Sequence, residues 1–264
     1  MFEVLGFAGA LLMGIVLGLI GGGGSILTVP IFVYILGIEP VLATTYSLFV
    51  VGITASVGVL KNILKASIDF KAGIIFSIPA FIGVLMSRKY ILPLIPDTLF
   101  LFSGYELTKS VAIMLFFALL MIIAAYFMIR STQNNDIENQ HNNYNYPIMI
   151  LENLIIGVIT GLVGAGGGFL IIPALVLLAK IPMKKAVGTS LLIIALKSLI
   201  GFAGDLQHFD IDWSLLFYFS ALSVIGIFIG IYLTNFIQAQ KLKKIFGWFV
   251  LIMAINIISA EFIF

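Results

Sequence analysis

The sequence contains no cysteine and few charged residues. Because the chain has no thiol group, it can form no disulfide, no catalytic thiol and no cysteine-ligated metal site. Lysine, arginine, aspartate and glutamate make up 10% of the 264 residues, whereas soluble domains have about a quarter. The two histidines, His141 and His208, cannot form a metal site by their spacing. The net charge of +2, without a basic run, gives no indication of a nucleic-acid partner.

Apolar residues dominate the chain instead. They account for 61% of it, and the mean hydropathy is +1.20, so we expect an integral membrane protein surrounded by the lipid bilayer. The first 24 residues resemble a signal peptide in hydropathy, but they carry Glu3 in place of a basic region and lack an A-x-A-like cleavage site. We interpret them as a retained helix.

Apolar segments recur along the chain in a regular order. A window of about 19 residues finds them near residues 4–20, 25–37, 41–60, 70–90, 109–129, 148–163, 169–180, 184–203, 213–234 and 243–264. The second and seventh are too short to span a bilayer, which requires about 20 residues. The polar, asparagine-rich stretch 130–147 is predicted to be a loop that connects an N-terminal repeat, 1–129, to a C-terminal repeat, 148–264.

The two halves repeat at an offset of 143 residues without a gap. Glycine, leucine and proline positions coincide: Gly14, Gly18, Gly21, Gly23, Gly24, Leu27 and Pro30 fall on Gly157, Gly161, Gly164, Gly166, Gly167, Leu170 and Pro173. Similarly, Ala43, Ser47, Leu48, Gly58, Asp69 and Gly83 fall on Ala186, Ser190, Leu191, Gly201, Asp212 and Gly226. Chance similarity between two hydrophobic stretches does not explain so many coincident glycines.

Equivalent loops of the two halves carry opposite charge. Loop 61–71 has three lysines, whereas its counterpart 204–212 has no lysine or arginine; corner 180–185 has three lysines, whereas 37–40 has none. Under the positive-inside rule, equivalent loops then lie on opposite sides. We predict an all-α polytopic transmembrane bundle of two inverted repeats, each a glycine-broken helical hairpin followed by three spanning helices, with both termini outside. A kink within one span at each break remains the alternative.

The repeated glycine breaks have two interpretations. Each can expose the first backbone N–H groups of the helix that follows, forming an anion site, or it can allow helices to pack closely. The spaced pairs Gly14/Gly18 and Gly157/Gly161 favour packing. The consecutive runs favour a substrate site: Gly21, Gly22, Gly23 and Gly24 in the first half, and Gly164, Ala165, Gly166, Gly167 and Gly168 in the second. Neither run continues as a phosphate-binding loop or dinucleotide fingerprint.

Polar residues near the breaks complete the predicted substrate site: Ser25, Ser47, Thr189, Ser190 and Lys197. The hydroxyls can contact an anion or bond back to the preceding helical turn. Lys197 lies well inside a span, where an ionisable residue indicates function; snorkelling to the surface is the alternative. Its repeat partner is the neutral Thr54.

No constellation of catalytic residues is found inside the predicted spans. There is no Ser-His-Asp arrangement and no paired carboxylate there, so we predict neither an enzyme nor a cofactor or metal site. Asp69 and Asp212 lie near helix ends and are predicted to cap them.

The breaks and the segments that follow them resemble one transporter family. The repeated glycine break, the proline six residues after it, and "AVGTSLL" at 186–192 are similar to the TauE/SafE family of membrane permeases, the sulfite exporters. The first half differs, since "ATTYSLF" at 43–49 stands where a Gly-Thr-Ser run is typical. The resemblance implies an α-helical carrier of sulfur-containing anions, such as sulfite or organosulfonates, in bacterial plasma membranes.

The predicted function is therefore transport of a small anionic substrate, with export favoured, by alternating access around a central site at the two breaks. An anion channel and a non-transporting membrane assembly subunit are the alternatives. The exact substrate, the direction, the coupling ion and the oligomeric state stay open.

Overall fold

The computed structural model describes residues 2–64, 67–102, 105–130, 146–164, 166–177, 181–206, 208–234, 236 and 239–263. Predicted site residue Ala165, and most of the loop predicted at 130–147, lie outside these residues. Within them the helices are α1 (Phe2–Ile20), α2 (Ser25–Pro30), α3 (Pro40–Leu64), α4 (Phe70–Met86), α5 (Leu92–Leu94), α6 (Lys109–Arg130), α7 (Tyr146–Val163), α8 (Gly168–Leu177), α9 (Met183–Asp205), α10 (Trp213–Leu233) and α11 (Ala239–Ile263).

The fold class is the predicted helical bundle, with one small addition. Strands β1 (Thr98–Phe102) and β2 (Tyr105–Thr108) pair as an antiparallel hairpin between α5 and α6, which the sequence did not predict. Among the residues that the structure describes, five helical stretches are long and apolar enough to cross a membrane: Pro40–Leu64, Phe70–Leu94, Lys109–Phe127, Lys185–Asp205 and Trp213–Leu233. Such stretches form helices because lipid offers no partner to an unpaired backbone group.

Two π-helical segments widen the helices of the first half. One, Ile31–Ile35, follows Pro30 directly. Proline lacks an N–H and cannot make the helical bond to the preceding turn, so the helix adjusts there. The other, Ser87–Ile91, joins α4 to α5, and helix Phe70–Leu94 is continuous through it.

The first glycine break is a hairpin rather than a kink. A Cβ built on Gly24 would lie 2.5 Å from the Leu17 nitrogen, and one on Gly9 would lie 3.0 Å from the Ile31 Cδ1. From Gly24 to Ile31, later residues therefore contact earlier residues of α1, so the chain runs back along α1. In the second half, Gly167 contacts Thr160, the pair equivalent to Gly24 and Leu17.

The first helix of each half packs on the fourth segment of the other half. A Cβ on Gly14 of α1 would overlap the Ser223 carbonyl oxygen of α10, and one on Gly157 of α7 would overlap the Ala80 carbonyl oxygen of α4. These two contacts are equivalent under the offset of 143. The spaced glycines therefore serve close helix packing, as predicted.

The central helices α3 and α9 are equivalent and run antiparallel. A Cβ on Gly52 would lie 2.8 Å from Leu199 Cδ2, and one on Gly58 would lie 3.1 Å from Leu191 Cδ1. As the chain advances along α3, its contacts thus move backwards along α9. Inverted repeats require opposite orientation of equivalent helices; the division into two repeats and their inversion across the membrane stay predictions.

Asp69 and Asp212 cap helices, which confirms that prediction. The Asp69 carboxylate accepts a hydrogen bond from the Ala72 N–H at 3.0 Å, at the start of α4. The Asp212 carboxylate accepts from the Leu215 N–H at 3.0 Å, at the start of α10. Each satisfies a backbone donor that the first turn of a helix leaves unpaired.

Candidate functional site

Both breaks turn the chain through backbone conformations that favour glycine. The φ angle is +79° at Gly21 and +69° at its equivalent Gly164, and it is +61° and +66° at Gly166 and Gly167. Residues with a side chain rarely adopt such values. The reversal of the chain therefore requires glycine at these positions.

The two breaks meet through Gly22 and Gly168. A Cβ built on Gly22 would lie 2.5 Å from the Gly168 carbonyl carbon, and one on Gly168 would overlap the Gly22 Cα. The structure thus brings together the two runs that the sequence predicted to converge. Their backbones touch, which leaves no space for a side chain between them.

Neighbouring glycines of each run contact different parts of the bundle. A Cβ on Gly21 would lie 2.6 Å from Val187 Cγ1, and one on Gly164 would lie 2.5 Å from Thr44 Cα. These two contacts are equivalent under the repeat offset. Contrary to the sequence argument, consecutive glycines do serve close packing here, so the run alone does not indicate a ligand.

The short helices begin at the breaks. The first helical bond of α2 runs from the Ile26 N–H to the Gly23 carbonyl, at 3.3 Å; in α8, the Leu170 and Ile171 N–H groups donate to the Gly167 carbonyl, at 3.0 and 3.1 Å. The N–H groups that precede such bonds have no partner within the helix. They give each break a partial positive charge.

Two of the predicted serines hold the first break in place. The Ser25 hydroxyl donates to the Gly22 carbonyl at 2.8 Å. The Ser190 hydroxyl lies 2.7 Å from the Gly21 carbonyl oxygen and 2.8 Å from that of Val187. Both bonds satisfy carbonyl groups that the interruption of the helix leaves without helical donors.

Ser47 is the equivalent of Ser190 in the first half, and its surroundings differ. Its side chain is fully buried, and its hydroxyl has no hydrogen-bond partner in the part of the chain that the structure describes. Buried hydroxyls almost always have a partner in the protein or in water. This hydroxyl is therefore available to an incoming polar group.

Thr189 lies beside the start of α4 and not at the breaks. Its hydroxyl oxygen accepts a hydrogen bond from the Asp69 N–H at 2.9 Å. In the equivalent contact, the Tyr46 hydroxyl accepts from the Asp212 N–H at 2.8 Å. The structure thus assigns Thr189 a contact between helices, and its predicted contact with substrate stays untested.

Lys197 is buried beside the second break. Only 1% of the residue is exposed, so its side chain does not snorkel to the surface. Its Nζ donates to the Thr160 hydroxyl at 2.9 Å, and a Cβ on Gly167 would lie 2.6 Å from Nζ. Among the described residues Lys197 forms no ion pair. The equivalent Thr54 bonds back to the Val50 carbonyl at 2.6 Å.

A buried ion pair was not predicted from the sequence. Arg88 NH1 lies 2.9 Å from Asp205 Oδ2, with side chains exposed by 1% and 3%. Thr45 donates to the same carboxylate oxygen at 2.7 Å and accepts from Arg88 at 3.3 Å. Arg88 and Asp205 therefore both lie in the interior of the protein.

The chain is similar to known membrane transporters over nearly its whole length. A family model described as "Sulfite exporter TauE/SafE" matches residues 6–257. A "Probable membrane transporter protein" of Xylella fastidiosa (strain 9a5c) is 29% identical over 252 residues, 94% of this chain and 91% of that protein. No solved structure matches the chain.

Two further relatives have similar descriptions. "Probable membrane transporter protein YunE" of Bacillus subtilis (strain 168) is 30% identical over 213 residues, which are 77% of this chain and 78% of that protein. "Probable membrane transporter protein MJ0441" of Methanocaldococcus jannaschii is 33% identical over 123 residues, 44% of this chain and 46% of that protein. All three relatives are thus described as transporters.

Proposed function

The chain belongs to the sulfite exporter TauE/SafE family, and from that premise we propose that it carries small sulfur-containing oxyanions, such as sulfite or organosulfonates, across the membrane. The family and the relatives indicate a multi-pass membrane transporter rather than an enzyme. The substrate class, the site and the alternating-access mechanism are the proposal.

The position of Lys197 is the single observation that carries this proposal. An ammonium in the interior of a membrane protein is energetically costly unless an opposite charge accompanies it. The described residues supply Lys197 with the Thr160 hydroxyl but with no carboxylate. An ammonium has three donors, so an anionic substrate at the second break would supply both the missing charge and the missing acceptors.

The breaks provide further positive potential around the same place. The N-terminus of each short helix has a partial charge of about +0.5, and the glycine runs from which α2 and α8 begin are brought together by the contact of Gly22 with Gly168. The free hydroxyl of Ser47 adds a donor. An oxyanion with several acceptor oxygens suits such a set of N–H, O–H and ammonium donors.

Alternating access would require this centre to open and close. The contact of Gly22 with Gly168 closes the space between the breaks, so an anion can enter only when the two hairpins move apart. In carriers built from inverted repeats, one part rocks against the other around a central site. We propose the same motion here, with the hairpins as the elements that separate.

Flux measurements on the purified protein in proteoliposomes test the function. We expect saturable transport of sulfite or of an organosulfonate, and much slower transport of chloride. Lys197→Gln should raise the KM about tenfold, which corresponds to about 1.4 kcal/mol, and should leave the melting temperature nearly unchanged. Lys197→Arg keeps the charge and should retain part of the affinity.

Two outcomes would contradict this proposal. An unchanged KM in Lys197→Gln across all tested anions would leave the lysine without a role in binding. Flux that does not saturate with concentration would favour an anion channel, because a carrier binds its substrate at a limited number of sites.

A further inference from the structure

One edge of the Arg88 guanidinium, formed by Nε and NH2, makes no hydrogen bond to the described residues. Its NH1 serves both Asp205 and Thr45, whereas its Nε and NH2 are buried and have no hydrogen-bond partner among the described residues. The adjacent Ser87 hydroxyl is also buried and without a partner there. Three donors of one π-helical segment are therefore unpaired in the interior, where native proteins leave few such groups.

A surface pocket lies near the ion pair of Arg88 and Asp205. The pocket has a volume of about 530 Å³, and its lining includes Glu39, Val41, Asp97, Lys109 and Phe209. Val41 and Phe209 each lie four residues from a partner of Arg88: Thr45 follows Val41 on α3, and Phe209 follows Asp205 at the end of α9. Thr45, which bonds to both residues of the ion pair, is thus about one helical turn from Val41 in the pocket lining.

On its inner side the ion pair adjoins the second break. Thr44, the neighbour of Thr45, contacts Gly164, where that break begins. Gly167 of the same break contacts the Lys197 ammonium. Through Thr44 and Thr45, the ion pair is thus connected to the second break, which also carries the contact to Lys197.

We propose that the Nε and NH2 edge of Arg88 is a second binding site for a small oxyanion, occupied between the surface pocket and the Lys197 site. This inference rests on the proposed transport function. The Nε and NH2 donors of arginine form a planar fork that matches two oxygens of one anion. The Ser87 hydroxyl, which lies against Gly161 of α7, is a further buried donor of the same segment.

Asp205 acts as a competitor in this arrangement. In the absence of substrate, its carboxylate neutralises Arg88, as buried charges require. When the oxyanion binds the free edge, the guanidinium is shared between two anions, so the hold of Asp205 weakens. Because Asp205 belongs to α9 and Arg88 to the π-helical segment that follows α4, arrival of the anion loosens the contact between α9 and this segment.

Sulfite uptake into proteoliposomes by charge-neutralised variants tests the inference. Asp205→Asn removes the competing carboxylate and keeps the shape of the side chain, so the KM should fall. Arg88→Met should raise the KM about tenfold by removing the charged hydrogen bonds. The double variant should resemble Arg88→Met. Arg88→Lys, which keeps the charge without the fork, should lie between Arg88→Met and the wild type.

The exposed neighbour Lys89 provides the matched control, and Lys89→Gln should keep the wild-type KM. If the ion pair only braces the helices, both single variants will transport poorly and the double variant will recover the wild-type KM, which overturns the inference. If Arg88→Met fails to fold, as judged by its thermal melt, the inference is tested by the other two single variants: the KM should fall in Asp205→Asn and rise in Arg88→Lys. Wild-type protein that transports no oxyanion would overturn the proposed function and this inference together.

Discussion

Lys197 and Arg88, the two buried cations described above, are compensated in different ways. Arg88 has a carboxylate partner in Asp205, whereas Lys197 has the hydroxyl of Thr160. Removing one partner of a buried ion pair is strongly destabilising, by about 3–5 kcal/mol, so Arg88 also contributes to stability. Lys197 has no such partner to lose among the described residues, which makes its substitution the cleaner test of anion binding.

Ser47 and Ser190 allow a test at the scale of one hydroxyl group. Ser190→Ala loses the bond to the Gly21 carbonyl and should lower the free energy of unfolding by about 0.5–1.5 kcal/mol. Ser47→Ala loses no described bond, so its thermal melt should match that of the wild type while the KM for the anion rises. An equal loss of stability in both variants, measured by thermal unfolding, would show that Ser47 also has a structural partner.

Local contacts were predictable at the residue scale, and distant ones were not. The helix caps at Asp69 and Asp212 could be predicted, because a cap bonds to the helix that follows directly. The pair of Arg88 and Asp205 joins residues 117 positions apart, and no local pattern encodes it. The one available signal was the apolar sequence that continues to Leu94, which favours a helix through Arg88.

At the scale of the helices, close contacts at glycine residues determine which helices pack together. Along α1, Gly14 contacts the Ser223 backbone and Gly18 contacts that of Ile227, so α1 and α10 run side by side in the same direction.

Gly166 differs from these helix-packing glycines: its φ is +61°, and a Cβ there would lie 2.7 Å from Val51 Cγ1. Gly166→Val would be strained whether or not an anion binds, so its loss of transport would not identify the site.

Gly14→Ala is the informative change for helix packing. Its Cβ would overlap the Ser223 carbonyl, so α1 and α10 must move apart, at a cost of about 1–3 kcal/mol. Gly204→Ala is the matched control, because its Cβ would meet only Leu85 Cδ2 at 3.8 Å and alanine favours helix. A lower melting temperature is expected for Gly14→Ala alone. Equal melting temperatures of the two variants would exclude a packing role for Gly14.

Most elements could be predicted from the sequence, because long apolar runs form helices in lipid. A hairpin at each glycine run could also be predicted, because the opposite charge of equivalent loops requires an odd number of crossings in each half. The β-hairpin at Thr98–Thr108 was missed. Ser103-Gly104 between the two runs is a turn signal, but the apolar residues around it resemble the start of the next span.

At the scale of the whole molecule, the reciprocal contacts interlock the two halves. Repeat partners make the same contact twice, as Gly21 with Val187 and Gly164 with Thr44 show. Together with the antiparallel α3 and α9, this supports the proposal of inverted repeats. The side of the membrane that each loop faces is set by the charge of the loops.

Cysteine labelling can establish the orientation, since the protein has no native thiol. We expect loops 61–71, 180–185 and 235–244 to be cytoplasmic and both termini to lie outside, because lysines accumulate in those loops. In intact cells, a membrane-impermeant maleimide should label Asp210→Cys. It should label Lys61→Cys and Lys185→Cys only after the membrane has been permeabilised. Labelling of either lysine position from outside would contradict the assignment.

The interlocked packing also has a consequence for biogenesis. Helix α1 is synthesised first, but its partner α10 begins only at Trp213. At about 5–20 residues per second, the ribosome needs roughly 10–40 s to make the intervening chain. Throughout that interval the close-packing glycine face of α1 remains in the membrane without the helix that covers it. The N-terminal half therefore cannot complete its packing alone, and assembly must wait until the second half is inserted.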